Sequence, residues 1–113
     1  MTPLMTVKIY KDPLTNREPF IEWLENIGDS ATEARARQRI RRMELGNLGD
    51  HRPVGDSVFE LRLHFGSGYR VYFGKVGSTV ILLLMGGDKH SQKRDIQKAK
   101  YYLHEYKTNQ RKI

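Results

Sequence analysis

Apolar and polar residues alternate from position 59 to 65: Phe59, Leu61, Leu63 and Phe65 fall between Glu60, Arg62 and His64. Strand side chains point alternately to opposite faces, so this run predicts a strand with one buried face and an exposed face carrying Glu60, Arg62 and His64. Gly66-Ser67-Gly68 supplies a hairpin turn, and Tyr69 to Lys75 predict the returning strand. After a second turn at Val76-Gly77-Ser78, the run VILLLM over 80–85 is continuously apolar, as in a strand covered on both faces, and Gly86-Gly87 ends it. Upstream, Val7, Ile9 and Tyr10 predict a first strand. Phe20, Trp23, Leu24 and Ile27 then fall at i, i+3, i+4 and i+7, the stripe of a short helix that Asn16 can cap and Gly28 can stop. Asp29 or Ser30 caps a second helix reaching about Leu45, with Ala36, Ile40 and Met43 as a thin apolar stripe. Gly46, Gly49, Pro53 and Gly55 among polar neighbours predict a loop over 46–57. A last helix starts near Ser91 and carries Ile96, Ala99, Leu103 and Tyr106 on one face, with fraying expected from Lys107 onward.

The predicted fold is thus α+β, a single domain over residues 1–113 in the order β-α-α-β-β-β-α. An antiparallel meander sheet has two N-terminal helices on one side, and the C-terminal helix closes the core. At 113 residues and 38% hydrophobic content the chain supports one core and not two. Twenty Lys and Arg against 13 Asp and Glu give a net charge of +7, which favours an acidic partner. There is no cysteine, so disulfides and thiolate ligands are excluded. The first residues, MTPLM, hold no apolar signal core, and the run over 80–85 is too short to span a bilayer. The expectation is a cytoplasmic protein without a membrane partner. No Walker loop, metal-ligand cluster or Ser-His-Asp pattern is evident, so no cofactor or metal is expected.

The segment FELRLHFGSGYRVYF over 59–73, followed by LMGGDKHSQ over 84–92 ahead of a basic helix, resembles the RelE/ParE toxin superfamily. The nearest likeness is to the phage-derived, HigB-like branch of addiction-module killer proteins, and the element order agrees along nearly the whole chain. The resemblance implies a RelE-like domain acting as the toxin of a type II toxin-antitoxin module. RelE-like and HigB-like members are metal-independent endoribonucleases that cut mRNA on the ribosome; ParE-like members poison DNA gyrase instead. The implied partners are mRNA, the ribosome and a cognate antitoxin, in this branch often a helix-turn-helix DNA-binding protein.

Metal-independent RNA cleavage needs a base for the 2′-hydroxyl proton, cations for the phosphorane and an acid for the leaving oxygen. By resemblance, Arg70 matches the family's hairpin arginine, Arg62 a basic residue on the preceding strand and Lys89 the basic residue after the last strand. A guanidinium binds phosphate through two parallel hydrogen bonds, and Arg70 is the strongest choice; its alternative use is a salt bridge to Glu60. An imidazole is the side-chain type suited to exchanging a proton at neutral pH, so His64, beside Arg62 and Glu60, and His90, beside Lys89, are candidate proton-transfer groups, whereas His51 and His104 have no such neighbours. Glu60 is either a general base or a carboxylate that orients Arg62 or Arg70. It departs from the RelE-like pattern, where this position is commonly basic, and Tyr101 and Tyr102 lie too deep in the last helix to match the terminal tyrosine of that subgroup.

Further RNA contacts are expected from Tyr72, as a stacking ring, and from Lys93 and Arg94 with Lys89. These three put positive charge at a helix N-terminus, where carboxylates are the stable choice, so an anion is expected there. In the second helix Arg35, Arg39 and Arg42 share one face that can hold RNA backbone or an acidic antitoxin segment.

Overall fold

Eight elements follow one another in the computed structural model, which describes residues 4–110: β1 (Thr6–Ile9), α1 (Pro19–Glu25), α2 (Ser30–Glu44), β2 (His51–Gly55), β3 (Val58–Arg62), β4 (Arg70–Val76), β5 (Val80–Gly87) and α3 (Gln92–Gln110). They form a compact α+β domain with one five-stranded mixed sheet in the order β1-β5-β4-β3-β2. The expected meander is present as β3, β4 and β5, paired antiparallel. Two corrections apply to the rest of the sheet. β1 runs parallel to β5, so the sheet is not wholly antiparallel. Residues 51–55, expected as loop, form an edge strand, β2, antiparallel to β3. Pro53 is compatible with that strand because an edge leaves one row of backbone groups unpaired, and the register slips between Pro53 and Gly55.

The helices cover both faces of the sheet. Phe20 and Leu24 of α1 and Ala36 and Met43 of α2 pack on Leu61, Val71, Phe73, Ile81 and Leu83. On the opposite face, Ala99 and Leu103 of α3 pack on Val58, Tyr72, Leu82 and Leu84, with Tyr10 closing the layer. Each Val, Leu, Ile, Phe or Met so covered contributes about 1.5–3 kcal/mol relative to exposure. The unbroken apolar run of β5 follows from its place inside the sheet with a helix layer on either side.

Local starts and stops differ from expectation in places. α1 begins with Pro19 at its first turn, which needs no N–H there, and Asn16 sits at a φ of +61° instead of capping it. Asp29 caps α2, accepting from the Thr32 N–H at 3.2 Å. β5 continues through Gly86 and Gly87, because two close approaches require glycine. A Cβ on Gly86 would lie 2.1 Å from Trp23 Cδ2, and one on Gly87 would lie 1.9 Å from an Asp95 carboxylate oxygen. Gly86→Ala should therefore force Trp23 out of its place and cost about 1–3 kcal/mol, measurable as a lowered urea midpoint with an unchanged slope. α3 stays helical from Lys107 to Gln110, where fraying was expected; residues 111–113, and the N-terminal residues 1–3, lie outside the described residues.

Candidate phosphate-binding site

The end of the β3–β4 hairpin gathers cations around one carboxylate. Glu60 pairs across the strands with Tyr72 on one side and Arg52 on the other, and Arg62 pairs with Arg70. All five residues sit on the α3 face, because strand parity sends 60 and 62, or 70 and 72, the same way. Glu60 has no exposed surface. Its carboxylate accepts hydrogen bonds from Arg52 Nε at 2.9 Å, Gln92 Nε2 at 2.8 Å and the Tyr72 hydroxyl at 3.1 Å. Arg70 Nε and Arg62 Nε lie 3.5 and 3.7 Å from its oxygens.

This geometry sets the ionisation of Glu60. Burial raises its pKa, but hydrogen bonds from Arg52 and Gln92, the Arg52 charge and the Tyr72 hydroxyl outweigh burial and hold the carboxyl below its usual value. A carboxylate so engaged is ionised at neutral pH and closed to solvent, with its oxygens held by Arg52, Gln92 and Tyr72. The expectation that Glu60 shares an exposed face is corrected: α3 starts at Gln92 and lies across it. Tyr72, expected as a stacking ring, is also fully buried, and burial together with the Glu60 charge raises its pKa, keeping it a hydrogen-bond donor.

Among the described residues Arg52, Arg62 and Arg70 share Glu60 as their one ion-pair partner, with the buried Asp95 carboxylate nearby against Gly87, opposite Arg70 in the sheet. The Nε atoms of Arg62 and Arg70 are buried without a hydrogen-bond partner, although their side chains remain 42% and 18% exposed. Arg70 is further fixed by Nη1 donating to the Gly68 carbonyl at 2.7 Å. Gly68 adopts a φ of +78°, and the place its Cβ would occupy is 3.5 Å from Arg70 Nη1 and 3.6 Å from Lys89 Cδ. Lys89 therefore flanks the hairpin turn beside Arg70. A hollow of about 210 Å³, lined by Arg62, Leu63, His64, Gly68, Tyr69 and Arg70, opens here.

His64 lies beyond the end of β3, largely exposed, with Nε2 2.7 Å from Asp50 Oδ2. A backbone bond from Arg62 N–H to the Asp50 carbonyl at 2.9 Å ties that aspartate to the strand end. The His90 ring is exposed beside Lys89, and among the described residues no hydrogen bond joins it to the arginines. Lys93 and Arg94 are exposed on the first turn of α3. The expected anion site at that turn is already furnished with carboxylates: Asp88 Oδ1 accepts from the N–H groups of His90 and Ser91, and the buried Asp95 carboxylate accepts from the Ser91 hydroxyl. The dipole mismatch inferred from the cations alone is thus offset by two acids. Arg35, Arg39 and Arg42 do share one face of α2, and with Gln38, His64 and Phe65 they line a second hollow of about 330 Å³. Among the described residues no group of His, Asp or Glu is placed to hold a metal ion, and no helix is long and apolar enough to cross a membrane.

A Haemophilus influenzae protein described as uncharacterized is 42% identical to this chain over 96 residues, covering 85% of this chain and 92% of that protein. The chain belongs to the family of that protein. No protein-family model matches it.

Three residues of the centre were missed in the sequence. Arg52 lies on β2, which Pro53 and two glycines disguise as loop; its register opposite Glu60 emerges only once that strand is paired. Asp50 and Gln92 are distant in sequence from the groups they hold, and no spacing rule connects them.

Proposed function

We propose that the chain is a RelE/HigB-like toxin of a type II toxin-antitoxin module, a metal-independent endoribonuclease that stops translation by cutting mRNA on the ribosome. In this reading the domain is a RelE-like fold with β2 as an added edge strand. The observation that carries it is the cluster of arginines sharing buried Glu60, with the Nε atoms of Arg62 and Arg70 unpartnered, beside Lys89 and His64. Arg62, Arg70 and Lys89 bind the scissile phosphate. The 2′-oxygen attacks phosphorus as a base takes its proton, the bond to the 5′-oxygen breaks, and an acid protonates that oxygen. His64, steadied by Asp50, and His90 exchange these protons, while Glu60 holds the arginines in place. Cations aimed at the phosphorane act where its charge develops, the kind of electrostatic assistance that dominates metal-free catalysis. An antitoxin of helix-turn-helix type is the expected partner of this basic protein.

Brief induction in growing cells, followed by transcript-end mapping and a gyrase supercoiling assay, tests the proposal. Cut mRNA with normal supercoiling is the expected result. Intact transcripts with inhibited gyrase would replace the ribonuclease by a ParE-like gyrase poison.

A further inference from the structure

Resting on the ribonuclease reading, we infer that the hollow along α2 is a second subsite of the same RNA path, holding a flanking unpaired nucleotide with its base against Phe65 and its backbone on Arg35, Arg39 and Arg42. His64 lines both this hollow and the one at Arg62 and Arg70, so the two form one route around the hairpin end. The Arg35 guanidinium lies over the Phe65 ring, 4.4 Å from its centroid, so an arriving base takes the place of that guanidinium on the ring while Arg35 turns to the phosphate. Phe65 is held from behind by an edge contact to Tyr69 at 6.4 Å, and Tyr69 by one to Trp23 at 5.8 Å, so the platform is anchored in the core.

The charges point the same way. Among the described residues Arg35, Arg39 and Arg42 form no ion pair, whereas neighbouring Arg37 is paired with Glu33. Arg39 is half-buried, and desolvation and then the Arg42 charge push its pKa down against a smaller opposing effect of the Asp50 carboxylate; a phosphate relieves the repulsion between the two arginines. The route turns from the α3 side of the sheet to the α2 side, which a flexible single strand follows and a rigid duplex does not.

The test is fluorescence anisotropy with labelled, 2′-O-methylated single strands of three and eight nucleotides, which bind without being cut, titrated over a range of salt. Removing Arg35, Arg39 and Arg42 together should lower the salt slope for the eight-mer by about 2, at roughly 0.7 per charge, and leave the three-mer unchanged. Phe65→Ala should weaken the eight-mer by about tenfold without changing the slope. Arg70→Ala should weaken both lengths. An unchanged eight-mer slope in the triple variant, with Arg70→Ala still weakening both strands, overturns this subsite and leaves the ribonuclease reading in place. Loss of binding to polyglutamate instead of RNA in the triple variant also overturns it, assigning the face to a protein. Failure of wild type to bind either strand overturns the subsite, and the transcript mapping in cells decides the ribonuclease reading separately.

Discussion

Arg70→Ala should abolish toxicity and reduce transcript cleavage by at least about 100-fold, the usual cost of removing one donor from a preorganised anion site. The protein should remain folded. Arg70 sits at the mouth of the hollow, and its ion pair to Glu60 is a loose 3.5 Å contact. Glu60 keeps its hydrogen bonds from Arg52, Gln92 and Tyr72 when Arg70 is gone. The stability lost should therefore be about 1 kcal/mol. Arg70→Lys should restore little activity, because an ammonium lacks the planar fork that meets two phosphate oxygens. Growth on induction, transcript mapping and a urea melt of the same variant separate the catalytic effect from the structural one.

Glu60→Gln should damage both stability and activity. The amide is nearly isosteric, so the loss isolates the charge. Removing it leaves Arg52, Arg62 and Arg70 repelling one another around a buried neutral group, a change of about 3 kcal/mol. Activity should fall with it, because the arginines lose the common anchor that sets their spacing. The pH dependence has a definite sign. The folded-state pKa of Glu60 is depressed, so its stabilisation is fully present above the unfolded value near ~4.3 and is lost as pH falls through the lower folded value. Denaturant melts at neutral and acid pH should show the wild type losing this contribution below about pH 4, while Glu60→Gln starts lower and loses less.

Much of this centre is written locally. Strand parity puts Glu60, Arg62, Arg70 and Tyr72 on one face, and the glycine hairpin brings 62 opposite 70. The stripes of α1, α2 and α3 likewise follow from their 3.6-residue period. Parity says which residues share a face but not what covers it. Glu60 and Tyr72 are buried because α3, whose Gln92 is 32 residues downstream of Glu60, crosses that half of the face, and nothing around position 60 encodes the crossing. The parallel direction of β1 depends on a connection through α1, α2 and three further strands, so its own four residues could not disclose it. Arg52 disappeared with its strand, since proline and glycine punctuate loops and edge strands alike.

The chemistry of the cut ends tests the central claim most directly. Transcripts cleaved by the wild-type protein should end in a 2′,3′-cyclic phosphate or the phosphate from its opening, with a 5′-hydroxyl on the downstream fragment, and a single 2′-deoxy substitution at the cleaved position should prevent the cut. Fragments carrying a 3′-hydroxyl and a 5′-phosphate, or cleavage that persists at the deoxy position, would contradict attack by the 2′-oxygen at the arginine cluster.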